Sequence, residues 1–207
     1  MPTPSPIQSD SVVTFDIQSG GSPIPDSINV ISVIVKKRLN QPFSAQFVLL
    51  DGDPATGEFE VSSSGLFIPG NTININAGYN GQNSLLFEGK VTSQNISIKT
   101  EAAPTLAVDC RSDVIESWTI NNTPVLTLQY GADILEFNAN YARPAATGIA
   151  KVHGVVTFRG SALAEPGKYI SLTGLGSRFS GNHLVSAVAH RIEDGNWFTE
   201  ATFGLAD

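Results

Sequence analysis

Residues 67–92 read FIPGNTININAGYNGQNSLLFEGKVT, and this stretch decides the fold. Pro69-Gly70 is a turn. Ile73, Ile75 and Ala77 then alternate with polar residues, the period of two that marks a strand with one buried face. Gly78, a turn at Asn80-Gly81 and Phe87-Glu88-Gly89 lead into a second strand. The same order returns at Pro166-Gly167, Ile170 and Leu172, Gly174, Phe179-Ser180-Gly181 and the apolar run Leu184 to Val188. Self-similarity of this kind marks a repeated structural unit. The chain is therefore read as two versions of one β-unit, related by internal duplication.

Composition supports a packed core. Of 207 residues, 41% are hydrophobic and 15% charged, and there are 11 Phe against one Met and two Trp. Low charge with ample hydrophobicity argues against disorder. The net charge of −7 disfavours a nucleic-acid partner, because phosphate binding needs surplus Lys and Arg. The one basic run, Lys36-Lys37-Arg38, reads as the solvated end of a strand. Cys110 is the sole cysteine, so no intrachain disulfide forms; TLAVDC places Leu106, Val108 and Cys110 on one face as small buried residues. MPTPSPIQSD lacks the charged and apolar regions of a signal peptide, and no apolar run approaches the ~18 residues of a membrane helix. The expectation is synthesis in the cytoplasm, without a signal peptide or membrane segment.

Along the chain, 1–10 is an extended Pro- and Ser-rich segment. Ser11–Gln18 alternates as a half-buried strand, and Ile28–Lys37 is β-branched on both faces, as in a strand packed on two sides or sealed by a neighbouring subunit. Phe43, Ala45, Phe47 and Leu49 alternate, and Gln94–Lys99 and Thr105–Cys110 read as strands. Arg111–Trp118 reads as a short helix with Ser112 as N-cap. Val125–Tyr130 reads as a strand; Gly131–Tyr141 fits helix or strand equally, and Ala142–Gly148 reads as a linker. Further strands fall near 152–159, 168–174, 182–192 and 196–204, the last two joined by the hairpin signal Asp194-Gly195. Short strands and turn signals throughout point to an all-β barrel or sandwich. The predicted division is 11–118, a connecting segment 119–151, and 152–207.

No catalytic constellation emerges. Asp51–Glu58 holds two Asp and a Glu but departs from the calcium-loop spacing after the second ligand and reads as a structural loop. His183 and His190 are seven apart on one predicted strand, which puts them on opposite faces, and His153 lies elsewhere. Gly174-Leu-Gly176 precedes no helix, so it is no nucleotide fingerprint. Asp and Glu cluster in turns. No enzyme activity, metal or cofactor is expected.

At the repeated stretches the sequence resembles the Vgr-type hub and spike proteins of contractile injection systems and the tail-hub proteins of contractile phages. The residues that carry this are Phe47–Asp53, Phe67–Gly70 with Ile73, Ile75 and Gly78-Tyr79, and Leu86–Thr92. At the far end they are Pro166-Gly167, Gly174–Gly176, Arg178–Gly181, Val185-Ser186, His190, Asp194–Glu200 and Phe203–Leu205. The resemblance implies two tandem tail-tube-like β-barrel domains, three chains closing into a pseudo-sixfold ring, and a symmetry adaptor joining a hexameric inner tube to a trimeric spike. The implied partners are copies of itself, the inner-tube protein, a spike or needle tip protein and baseplate components, in a particle that is released or acts extracellularly. Two departures stand out: 119–151 is brief for this family, and the sequence stops before the needle many relatives carry, as in a minimal form whose needle is a separate chain or has been removed. On this reading interchain contacts are expected at Ile28, Val30, Ile31, Val33, Val35, Ile73, Ile75, Ile170 and Leu172. The alternative function is a carbohydrate-binding β-sandwich module, whose mark would be loop aromatics; the two Trp, Trp118 and Trp197, adjoin strand-like sequence instead.

Overall fold

The computed structural model describes residues 11–53, 55–113, 115, 122–143 and 151–204. Among the described residues thirteen strands form: β1 (Val13–Ser19), β2 (Ser22–Pro23), β3 (Val30–Arg38), β4 (Ser44–Leu50), β5 (Thr72–Tyr79), β6 (Gln82–Lys99), β7 (Ala102–Arg111), β8 (Pro124–Gln129), β9 (Ile134–Ala142), β10 (Lys151–Arg159), β11 (Tyr169–Thr173), β12 (Gly181–Glu193) and β13 (Asn196–Phe203). The two helices, α1 (Glu60–Ser63) and α2 (Gly176–Phe179), are single turns. The fold is all-β.

The repeat seen in the sequence is a repeat of topology. Leaving aside the two-residue β2, the first half runs β1-β5-β6-β7-β4-β3 across its sheet and the second β8-β11-β12-β13-β10-β9. In both, the order in space is first, fourth, fifth, sixth, third and second strand of the half. The Pro-Gly motifs enter the equivalent strands β5 and β11. Each fixes the next strand in the same way. Gly70 N–H donates to Val91 O at 2.9 Å and Val91 N–H to Asn71 O at 2.9 Å, while Gly167 N–H donates to Val185 O at 2.8 Å and Val185 N–H to Lys168 O at 2.9 Å. A bulge follows at the same place in each, between Val91 and Ser93 and between Val185 and Ala187. The halves differ in one pairing: β1 lies antiparallel to β5, whereas β8 lies parallel to β11.

Each half encloses an apolar core. Phe47, Phe67, Ile73, Ile75, Leu86, Phe87, Leu106 and Val108 fill the first; Leu126, Leu128, Val156, Phe158, Ile170, Leu172, Val185, Ala201 and Phe203 fill the second. Alternation supplies these residues: 45, 47 and 49 on β4 and 106, 108 and 110 on β7 point inward. Cys110 lies in the first core, and burial, with Asp109 beside it, pushes its thiol up to about 12. The tight hairpins at Asn80-Gly81 (φ 54° and 81°) and Asp194-Gly195 (φ 49° and 71°) use left-handed residues, as a two-residue turn of matching twist requires. Gly78 is needed at the first because a Cβ there would lie 1.8 Å from Gln82 O.

Several readings change. The stretches after Phe87 and over Gln94–Lys99 are one strand, β6, kinked by its bulge. Gly131–Tyr141 resolves into a turn and β9. The segment 119–151 therefore carries two strands whose Leu126, Leu128, Phe137 and Ala139 pack in the second core. Of the predicted helix over 111–118, residues 114 and 116–118 lie outside the described residues, as do 1–10; Arg111 ends β7. Lys37 is not solvated: it shares the inward face of Val33 and Val35, whereas Lys36 and Arg38 are exposed. In the Asp51–Glu58 loop, the buried Asp51 carboxylate accepts hydrogen bonds from the N–H groups of Val61 (3.0 Å) and Ser62 (2.8 Å), securing the start of α1. The bulge after Val185 also resets the alternation on β12. His183 packs against Phe203 (ring centroids 4.8 Å apart) and His190 against Trp197 (5.8 Å), so both rings face inward but at different sites.

Candidate assembly surface

The two halves are joined through strand pairing and a shared aromatic seam. β3 of the first half pairs antiparallel with β12 of the second, Arg38 opposite Ala187 and Ser32 opposite Glu193, so the sheet runs without a break from β2 to β9. At this seam the second half lends Ile192 and Trp197 to the first core. The indole stacks on Tyr79 (5.5 Å, planes 26° apart) and lies on Gly160, where a Cβ would sit 1.8 Å from it. Burial raises the Tyr79 hydroxyl to about 12, partly offset by Arg159.

His190 is buried beside this indole. Ser161 N–H donates to Thr199 Oγ1 at 3.0 Å, and Thr199 Oγ1 lies 3.0 Å from His190 Nδ1. Burial and, secondarily, the Lys37 charge lower the imidazole to about 3, so it is neutral at neutral pH. Lys37 reaches across the seam to Glu165 at 3.4 Å, with Phe43 under its ammonium at 5.3 Å. This neutral histidine is tied to a threonine and packed on the indole. Among the described residues no three His, Cys, Asp or Glu side chains converge to hold a metal ion, and no helix is long and apolar enough to cross a membrane.

The sheet face turned away from the cores presents Lys36, Arg38, Arg111, Arg159 and Arg191 beside Asp109, Glu136, Glu193 and Glu200. On a chain of net charge −7 this long face is close to balanced.

Of the nine residues expected at interchain contacts, six lie inside this chain's own cores: Val33, Val35, Ile73, Ile75, Ile170 and Leu172 are at most 1% exposed. Their alternation faces the interior, and the flank of β3 is sealed by β12 of the same chain. Ile31 is exposed, and Ile28 and Val30 are half-buried. Four exposed apolar side chains that sequence reasoning missed lie on strand flanks that no described strand covers. β9 ends the sheet path, pairing among the described strands with β10 alone, and exposes Leu135 and Tyr141. Beyond Val91, β6 pairs with β7 on one flank and with no described strand on the other; Ile96 and Ile98 are 44% and 67% exposed there. Exposed isoleucines on a strand edge invite another strand.

The sequence matches the family described as the Alg8 N-terminal domain over residues 9–122 and 140–194. No curated protein matches it. Among solved structures, it is similar to the 43 kDa tail protein of prophage MuSo2 from Shewanella oneidensis, with a TM-score of 0.61 and 9% identity over 94% of this chain and 97% of that one. A tail protein from Neisseria meningitidis MC58 gives 0.60 and 8% over 93% and 96%. A type VI secretion system component from E. coli, described as structurally similar to the T4 bacteriophage tail proteins gp27 and gp5, gives 0.57 and 10% over 92% and 77%. At these identities the likeness is one of fold.

Proposed function

Because the chain belongs to the Alg8 N-terminal domain family and has the fold of tail proteins, we propose that it is a structural component of a contractile injection system or phage-tail-like particle. Its role is that of a hub: three copies form a ring whose two halves per chain give a pseudo-sixfold face. That face meets a hexameric inner tube, and the threefold face carries the spike or needle tip protein among the baseplate components. The observation that carries this reading is the repeated strand order, with β3 of one half pairing laterally with β12 of the other. A chain with two like units side by side converts a threefold into an approximate sixfold arrangement.

Light scattering behind a sizing column tests the first step. A mass near three chains that withstands dilution supports the ring, and retention of a hexameric tube protein on the immobilised ring supports the adaptor. A monomer at every concentration refutes the ring.

A further inference from the structure

The two halves share a strand order, so the contact between them is a template for the contact each half lacks. In the second half, Val185 sits where Val91 sits in the first: each is fixed by its Pro-Gly loop, and each precedes a bulge. β12 beyond its bulge, Ala187–Arg191, therefore corresponds to Ser93–Ser97 of β6; past Ser97 a second irregularity of β6, before Lys99, has no counterpart on β12. β3 corresponds in the same way to β9: Val33 and Val35 lie opposite Phe47 and Ala45 of β4, and Phe137 and Ala139 lie opposite Val156 and Gly154 of β10. Within the chain, β3 occupies the flank of β12. No described strand covers the outer flank of its counterpart β9 or the counterpart flank of β6.

We infer that β9 of one copy adds antiparallel to Ser93–Ser97 of β6 in a second copy, in the register that β3 takes on β12. Transferring that register sets Asn138 opposite Ser97 and Ala142 opposite Ser93. Ile96, an exposed isoleucine of the β6 flank, then falls opposite Ala139, a position of β9 that faces the second core. In the intrachain template the same place holds His190 against Val35. The contact uses different surfaces on the two copies, so it is head-to-tail and propagates to a closed ring or a filament. This assignment rests on the ring proposed above and names the surfaces that close it.

The test is a disulfide between copies. Asn140 and Asn95 fall opposite each other in the transferred register, and Cα atoms directly opposite across antiparallel strands are about 4.5–5.5 Å apart, within disulfide reach. Asn140→Cys and Asn95→Cys chains are purified separately, mixed and oxidised with diamide; the native Cys110 is buried. The expected result is a linked dimer in the mixture that neither variant forms alone. Asn138→Cys mixed with Asn95→Cys, two residues out of register and about 8 Å apart by strand geometry, is expected to link at least about tenfold less. Equal linkage by both mixtures, or none by either, overturns the assignment. A multi-chain mass for the unaltered protein without the Asn140–Asn95 link refutes the edge pairing and leaves the ring standing. A monomeric mass without the link refutes both.

Discussion

Trp197→Ala is expected to cost the fold about 3–5 kcal/mol, the range for removing a large aromatic from a packed interior. Trp197 is 3% exposed and belongs to the second half by sequence but to the first core by contact. Its indole is held between Tyr79, the bare face of Gly160 and the ring of His190. Because β13 and the Gly160 backbone are fixed by their own hydrogen bonds, the site has little freedom to collapse, which favours the upper part of the range. With urea slopes of about 1–3 kcal/mol per molar, the unfolding midpoint followed by circular dichroism should fall by roughly 1–5 M. Trp197→Phe separates packing from hydrogen bonding. The indole N–H is buried with no partner among the described residues, so Phe discards that donor and keeps the stack on Tyr79. Its expected cost is below about 1.5 kcal/mol, as for a swap that preserves most of the packing. A Trp197→Phe loss equal to that of Trp197→Ala would refute the argument, since it would show that Nε1 and not the ring holds the seam.

Three further outcomes follow from the same contacts. His190 titrates at about 3 when folded against 6.5 when unfolded, so above pH 6.5 it is neutral in both states and has no effect. Between those values the unfolded chain binds a proton that the folded one does not, and stability falls as pH drops by up to about 1.4 kcal/mol per unit; His190→Phe should make urea midpoints measured across that window less steep by up to one proton. Glu165→Gln leaves the Lys37 ammonium buried, whereas Lys37→Met leaves a carboxylate that already reaches solvent. Thermal unfolding should therefore show the Glu165 change as the more damaging. Asp51→Ala strands the N–H groups of Val61 and Ser62 and should cost about 1–3 kcal/mol in chemical denaturation.

The sequence shows the duplication plainly because turn chemistry and alternation are local. Pro69-Gly70 and Pro166-Gly167 enter equivalent strands, Asp194-Gly195 forms its hairpin, and Leu106, Val108 and Cys110 share a buried face as their spacing predicts. What it hides depends on pairing across long separations. Nothing near Val33 or Val35 tells whether their β-branched run is sealed by β12 or by another chain, so core residues were read as contact residues. β9 is ambiguous because Ile134, Leu135 and Phe137 suit either period, and only its register on β10 settles the matter. The bulge after Val185 reverses the parity that had placed His183 and His190 on opposite faces. The unpaired flanks of β6 and β9 become visible only once every other flank has been assigned.

The seam also sets the order of events during synthesis. The first core gathers residues up to Cys110 and then waits for Ile192 and Trp197. At ribosomal rates of about 5–20 residues per second, that interval is roughly 4–17 s. Throughout it the flank of β3 is bare on the nascent chain, a sticky edge in a crowded cell where other half-made copies offer the same strand. Accurate assembly therefore calls for a first half that folds late, or for a chaperone that covers β3 until β12 emerges.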